Sequence, residues 1–227
     1  MKVEIIKTED GSNSLFVPEL DETYHSTYGA LQEALHIFIL NGLWEKKKEK
    51  SKIKILEIGL GTGLNALLVM SLVEELGIEV EYCGVEAFPV KDDIWTELNY
   101  ADIVDHHQAG EFYKKLHLAD WEKQQLLIPN FSVVKKNLDI LNLGELKNDD
   151  NMSDFDLVFF DAFGPDIQPD LWRDEVFKNC FDLMSKGARL VTYSCKGVVR
   201  RAMKSAGFDV KKVPGPKGKR EISIAIK

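Results

Sequence analysis

The chain has 227 residues, 44% of them hydrophobic, and a net charge of −8. That length suits one α/β domain with a small appendage, and no apolar run reaches the roughly 18–20 residues that cross a bilayer. The charged start Met1-Lys2-Val3-Glu4-Ile5-Ile6-Lys7 is unlike a signal peptide, and Cys83, Cys180 and Cys195, with no C-x-x-C pair, point to a reducing cytoplasm and to no structural metal.

Residues 2–8 and 14–17 predict two short strands joined by the turn signal Glu9-Asp10-Gly11-Ser12-Asn13. Ser26 is placed to cap a helix in which Leu31, Leu35, Phe38 and Ile39 recur at helical spacing, ending near Gly42. The lysine-rich residues 45–54 read as an exposed connector. This divides the chain into an N-terminal hairpin and helix, residues 1–45, and a main domain, residues 46–227.

From residue 53 strand and helix alternate. Strands are predicted at 53–58, 79–85, 131–136, 155–161, 188–194, 208–213 and 221–226, and helices near 63–76, 90–98, 108–120, 170–184 and 197–206. The segment at 155–161 is nearly all apolar, as a strand buried on both faces of a parallel sheet should be. Pro214-Gly215-Pro216-Lys217-Gly218 separates the last two strands and makes them an antiparallel hairpin. The expected fold class is α/β, a Rossmann-like sheet with one reversed strand.

The first strand of that sheet runs into Gly59, Gly61 and Gly63, and a helix follows at once. Such a turn lets a ligand approach the backbone closely. The spacing is not the G-x-G-x-x-G of dinucleotide sites. Glu57, ahead of the glycines, favours instead S-adenosylmethionine, whose amino group an acidic strand end can hold. The next strand ends offer acids as well. Glu86 suits the two ribose hydroxyls and Asp139 the adenine amino group, against the plainer readings of a capping acid and a turn acid. Asp161 stands at the site centre with Phe163 and a rigid Gly164-Pro165 turn.

Other features read as structural. His106-His107 is a loop pair with no acid or cysteine at ligand spacing, and Cys195 reads as core. Ser194 has no triad partners, and no phosphate-binding G-x-x-x-x-G-K-[ST] occurs. Residues 186–227 carry twelve Lys or Arg against Asp209 and Glu221, a net +10 on a remainder of −18. A basic tail on an acidic protein is a candidate phosphate-binding face, the alternative being a solvated helix and hairpin.

Several segments together resemble one family over nearly the whole chain. They are Asp10–Leu15, Tyr24-His25-Ser26, Gly29-Ala30, Gln32-Glu33, the loop Leu60–Asn65 after Gly59, and Asp161–Pro165 with Pro169, Leu171 and Trp172. Thr192-Tyr193, Val198, Arg200-Arg201, Ala206–Phe208, Pro214-Gly215 and Lys219–Glu221 complete the pattern. The family is the methyltransferase domain of the bacterial tRNA 5-methylaminomethyl-2-thiouridine-forming enzymes, the MnmC type. Gly164 departs from it, since many relatives have alanine there.

The resemblance implies a class I S-adenosylmethionine-dependent fold and methyl transfer to the amine of 5-aminomethyl-2-thiouridine at the tRNA wobble position. It implies cofactor contacts from Glu57, Gly59, Gly61, Gly63, Asn65, Glu86, Asp139, Asp161 and Phe163. Asp161 is the first choice for proton acceptor, with Tyr24 and Glu33 as helpers. Phe163 and Trp172 are expected to stack on the base, and Arg200, Arg201, Lys217, Lys219 and Arg220 to meet tRNA phosphates. Many members carry a second, FAD-dependent domain for which 227 residues leave no room, so only methyl transfer is implied, with a functional link to enzymes making the aminomethyl precursor. Two alternatives stay open. One is a spermidine-synthase-like aminopropyltransferase, whose loop usually reads G-G-G-D-G. The other is a non-catalytic tRNA-binding protein with a vestigial fold.

Overall fold

A computed structural model describes residues 2–227. The N-terminal extension is a three-stranded antiparallel sheet of β1 (Glu4–Lys7), β2 (Asn13–Val17) and the short β3 (Glu22–Thr23), in that order. The third strand was not expected, because two residues carry no periodicity. A continuous helical run follows over 30–47, α-helical at Ala30–Ala34, π-helical at Leu35–Leu43 and α-helical again at Trp44–Lys47.

Two sequence expectations fail along this run. Ser26 does not cap it. The turn of the β1–β2 hairpin does, with Ser12 Oγ accepting from the Ala30 and Leu31 amides and Asp10 Oδ2 from that of Gln32 at 2.9 Å. The run also passes Gly42 without stopping, since Ile37, Phe38 and Leu43 are buried against the sheet and Phe38 packs on Phe159 at 5.2 Å. Lys46, expected in an exposed connector, is 4% exposed and bonds Glu49 and the Gly187 carbonyl.

The main sheet has eight strands: β4 (Lys52–Ile58), β5 (Glu79–Val85), β6 (Gln125–Ile128), β7 (Phe131–Lys136), β8 (Phe155–Phe160), β9 (Met184–Thr192), β10 (Asp209–Pro214) and β11 (Glu221–Ile226). Their order is β10-β11-β9-β8-β4-β5-β7-β6. β7, β5, β4, β8 and β9 run parallel. β11 is antiparallel to β9 and β6 is antiparallel to β7, so two strands are reversed where one was expected. β6 escaped the sequence reading because it is a four-residue edge strand with Leu126 73% exposed.

Strand alternation builds two apolar layers. Ile53, Ile55, Tyr82, Leu157 and Phe159 face the helices at 30–47, Leu64–Leu76 and Ala109–Leu118. Leu56, Ile58, Val158, Phe160 and Leu190 face Asp174–Leu183 and Gly197–Ser205. Phe159 and Phe160 are both fully buried, each worth about 1.5–3 kcal/mol of transfer energy. The chain order reverses at β4, flanked by β5 and β8, and the crevice beyond the carboxyl ends of β4 and β8 is therefore where such sheets bind ligands. Among the described residues no helix is long and apolar enough to cross a membrane.

Candidate active site

The glycine turn after β4 is shaped by its neighbours. Gly59 has φ +86°, and a Cβ there would lie 2.6 Å from the Asp161 carbonyl oxygen. Only a glycine lets the ends of β4 and β8 come this close. Gly63 has φ +75° and backs onto Leu116, where a Cβ would sit 2.9 Å from Cδ2. Between them the Gly61 amide donates to Glu86 Oε2 at 2.9 Å, and Oε1 accepts from the Phe88 amide. Glu86 thus ties the glycine turn to the end of β5.

A cleft of about 440 Å³ opens here, lined by Gly59, Glu86, Asp139, Asp161, Phe163 and Leu141 among others. Its acids suit ribose hydroxyls and an amino group, its apolar wall suits a purine, and the missing Cβ at Gly59 leaves backbone bare to a ligand. These residues fit S-adenosylmethionine. Asp139 lines the cleft and, through Oδ1, caps the turn at Ile140–Asn148 by accepting from the Leu141 amide at 2.9 Å, the turn role foreseen for it.

Glu57 does not reach the cleft. Period-two alternation turns it to the face of Ile55 and Tyr82, where it is 0% exposed. It accepts from Tyr82 Oη and from Asn65 Nδ2, both at 2.8 Å. Burial pushes its carboxyl well above the usual range, against those two hydrogen bonds. Asn65, 4% exposed, is likewise beneath the site, and the same Nδ2 donates to Asp161 Oδ2 at 3.0 Å. Gly61 and Gly63 also lie outside the cleft lining. None of these four lines the cleft; Glu57 and Asn65 lie beneath it, and Gly61 is held by Glu86.

Asp161 is the hinge of the site. A second cleft, about 410 Å³, is lined by Glu33, Asp161, Tyr193, Cys195, Lys219 and Arg220 among others, and shares Tyr24, Asp161, Ala162, Phe163 and Ile167 with the first. Burial raises the Asp161 carboxyl to about 7; the Glu33 charge adds to this, and the Asn65 hydrogen bond and Lys219 oppose it. Tyr24 lays its ring edge-on to Phe163 at 5.0 Å, and burial, with the Glu86 charge, keeps its phenol protonated. Glu33 is 9% exposed, accepts from the Ser26 amide at 2.8 Å and faces Lys219 Nζ at 3.0 Å.

Trp172, expected to stack on a base, lines neither cleft. It is 2% exposed, packs on Phe160 at 4.9 Å, and donates its indole N–H to the Phe163 carbonyl at 2.7 Å. Cys195, read as core, is half-buried and lines the second cleft. His106 and His107 stack on each other at 4.8 Å in a loop.

The basic residues differ in what engages them. Lys219 and Arg220 line the second cleft, whereas Lys217 pairs with Glu9 of the N-terminal hairpin at 2.7 Å. Arg200 is half-buried with Nε donating to the Cys195 carbonyl, and Arg201 is exposed on the same helix. Sequence reasoning gave no role to Tyr113 and His117, which both hold the Thr62 carbonyl of the glycine turn from the helix Ala109–Leu118. Their only signal was helical spacing, which cannot say what a side chain meets.

Residues 107–227 match a family described as S-adenosyl-L-methionine-dependent methyltransferase. A Marinomonas protein, the tRNA 5-methylaminomethyl-2-thiouridine biosynthesis bifunctional protein MnmC, is 28% identical over 221 residues, 91% of this chain and 31% of that protein. The chain thus spans about a third of the length of the curated relatives it matches. The crystal structure of MNMC2 from Aquifex aeolicus aligns with a TM-score of 0.81 at 26% identity, covering 99% of this chain and 69% of that one. Spermidine synthase from Thermotoga maritima aligns at 0.53 with 12% identity, covering 99% and 72%, a likeness of fold alone. With more than half of its length matching, and with a cleft whose residues fit the cofactor, the chain belongs to the S-adenosyl-L-methionine-dependent methyltransferase family.

Proposed function

We propose that the chain methylates the amine of 5-aminomethyl-(2-thio)uridine at the tRNA wobble position. The observation that carries this is the meeting of the two clefts at Asp161, Tyr24 and Phe163. A donor in the first and an acceptor amine in the second come together at one carboxyl group. The named relatives supply the substrate class.

S-adenosylmethionine, when bound, supplies a methyl group already activated by its sulfonium. The protein must align the amine, strip it of water and take its proton. Asp161, with its carboxyl raised to about 7, suits proton acceptance near neutral pH. Tyr24 remains a phenol and Glu33 a neighbour of Asp161, and both can orient N–H groups in the second cleft. Phe163, edge-on to Tyr24, walls the junction against water and presents a face to the base. Arg220 and Arg201, both exposed and without an ion pair among the described residues, are assigned to tRNA phosphates. Three free thiols fit a cytoplasmic setting, and the aminomethyl group is supplied by an earlier reaction on the same uridine.

The test is incubation with labelled S-adenosylmethionine and tRNA from cells lacking this modification, followed by nucleoside digestion. Label in 5-methylaminomethyl-(2-thio)uridine is expected; tRNA without label overturns the assignment. A parallel incubation with decarboxylated S-adenosylmethionine and putrescine should give no polyamine product.

A further inference from the structure

We infer that the Glu33 carboxylate and the Tyr193 ring, beside Asp161, form a binding site for a primary ammonium, that Lys219 fills it in the free protein, and that the acceptor's aminomethyl group displaces Lys219 to enter. This rests on the reading above, since it names how that acceptor is held.

Three observations point to an exchangeable cation. Lys219 Nζ lies 3.0 Å from Glu33 Oε1 and 5.0 Å from the Tyr193 ring centroid. A carboxylate and an aromatic face are what recognise an alkylammonium. Glu33 is buried, yet Oε1 makes no hydrogen bond, because the Lys219 ammonium is close but outside hydrogen-bond geometry. Lys219 itself keeps a quarter of its side chain exposed and comes from the loop between β10 and β11.

The arrangement is fixed on the carboxylate side and loose on the ammonium side. Glu33 Oε2 is anchored by the Ser26 amide at 2.8 Å, and Tyr193 Oη donates to the Ala162 carbonyl at 2.8 Å. Both stay when the cation leaves. A buried carboxylate is costly to leave unpaired, so its cation must be exchanged for another. An aminomethyl group carries the same charge and shape as the end of a lysine side chain. Once displaced, Lys219 is free to swing to the cleft mouth beside Arg220, where a phosphate backbone would approach.

Methylammonium chloride serves as the probe, titrated by ligand-observed NMR into the unmodified chain, Lys219→Met, and Lys219→Met with Glu33→Gln, at constant ionic strength. Lys219→Met should bind at least tenfold tighter than the unmodified chain, and the double variant should lose at least tenfold again. Equal affinity in all three overturns the site. In the unmodified chain labelled with ε-13C-lysine, the Lys219 resonance, assigned by its absence in Lys219→Arg, should move toward that of solvated lysines as methylammonium is added. A resonance that stays fixed overturns the displacement even if Lys219→Met fails to fold. Failure of tRNA labelling with intact methylammonium exchange would retire the tRNA reading alone, and the reverse result would retire the exchange site alone.

Discussion

The side-chain amide of Asn65 donates to the Asp161 carboxyl at 3.0 Å. The same nitrogen donates to buried Glu57, so the Asp161 carboxyl is steered from below the sheet end by a buried pair. That hydrogen bond favours the ionised form of Asp161. Removing it in Asn65→Leu should therefore raise the Asp161 carboxyl above about 7. A hydrogen bond to a charged group is worth about 1.5–3 kcal/mol, or about one to two pH units. The acidic limb of the methyl-transfer profile should shift to higher pH by that amount, measured as kcat/KM between pH 6 and 9. An unchanged limb would detach Asp161 from the proton transfer.

Asp161→Asn should remove the proton acceptor while keeping the Asn65 hydrogen bond. Methyl transfer is expected to fall by about 10²–10⁴, the usual range for a general base, with S-adenosylmethionine affinity within threefold of normal by calorimetry. Full activity would end its role.

The same carboxyl makes stability depend on pH. Its folded value is raised from 3.8 to about 7, so the folded protein holds this proton where the unfolded chain has lost it. Stability from this group is full below pH 4 and is lost as pH rises through 7. The loss amounts to about 2–4 kcal/mol at pH 8, with some relief because the group opens onto the cleft. Asp161→Asn should abolish that slope, melting above the unmodified chain at pH 8. A lower melting temperature for the variant at pH 8 would contradict the shift.

Gly59→Ala should damage the site more than Gly61→Ala. Both positions have positive φ, but a Cβ at 59 meets the Asp161 carbonyl at 2.6 Å, whereas one at 61 comes no nearer than 3.3 Å to the Tyr24 ring edge. The left-handed backbone alone costs about 1–2 kcal/mol, and backbone overlap at 59 adds to it. Denaturant unfolding should show Gly59→Ala at least about 1 kcal/mol the less stable of the two, with S-adenosylmethionine binding weakened most at 59.

What could be read from the residues was set by how local each signal is. The parallel strands β4, β5, β7 and β8 are short segments rich in apolar residues, and their predicted bounds match within one residue. Asp161, Glu86 and Asp139 were found because each follows such a strand, and a strand end fixes position by chain alone. Which way a side chain faces was not legible. Glu57 and Asn65 have the right neighbours in sequence, but pleat and helix phase turn them inward. Lys219 reads as a phosphate ligand until the fold brings Glu33, 186 residues away, against it. A capping role for the β1–β2 turn was equally invisible, because Asp10 and Gln32 meet only in three dimensions.

The tail's cations should contribute unequally to tRNA binding. Arg201 and Arg220 are exposed, while Lys217 is engaged by Glu9 at 2.7 Å. Each phosphate contact removed lowers the slope of log K against log salt by about 0.7–0.9. Arg201→Ala with Arg220→Ala should reduce the slope by about 1.4–1.8, and Lys217→Ala by less than half a unit. Equal effects from all three would mean that the Glu9 pair opens on binding.

Trp172 gives the sharpest contrast between a stacking and a supporting role. Its indole N–H satisfies the Phe163 carbonyl and its ring fills the space between Phe160, Phe177 and Tyr193. Trp172→Phe keeps an aromatic surface but leaves that carbonyl without a donor, a loss of about 1–3 kcal/mol. The turn carrying Asp161 and Phe163 should loosen, lowering kcat with little change in tRNA affinity. A base-stacking residue would behave the other way, raising KM for tRNA by roughly tenfold while leaving the unfolding midpoint in place. Steady-state kinetics with tRNA, set beside urea unfolding of the same variant, separates the two.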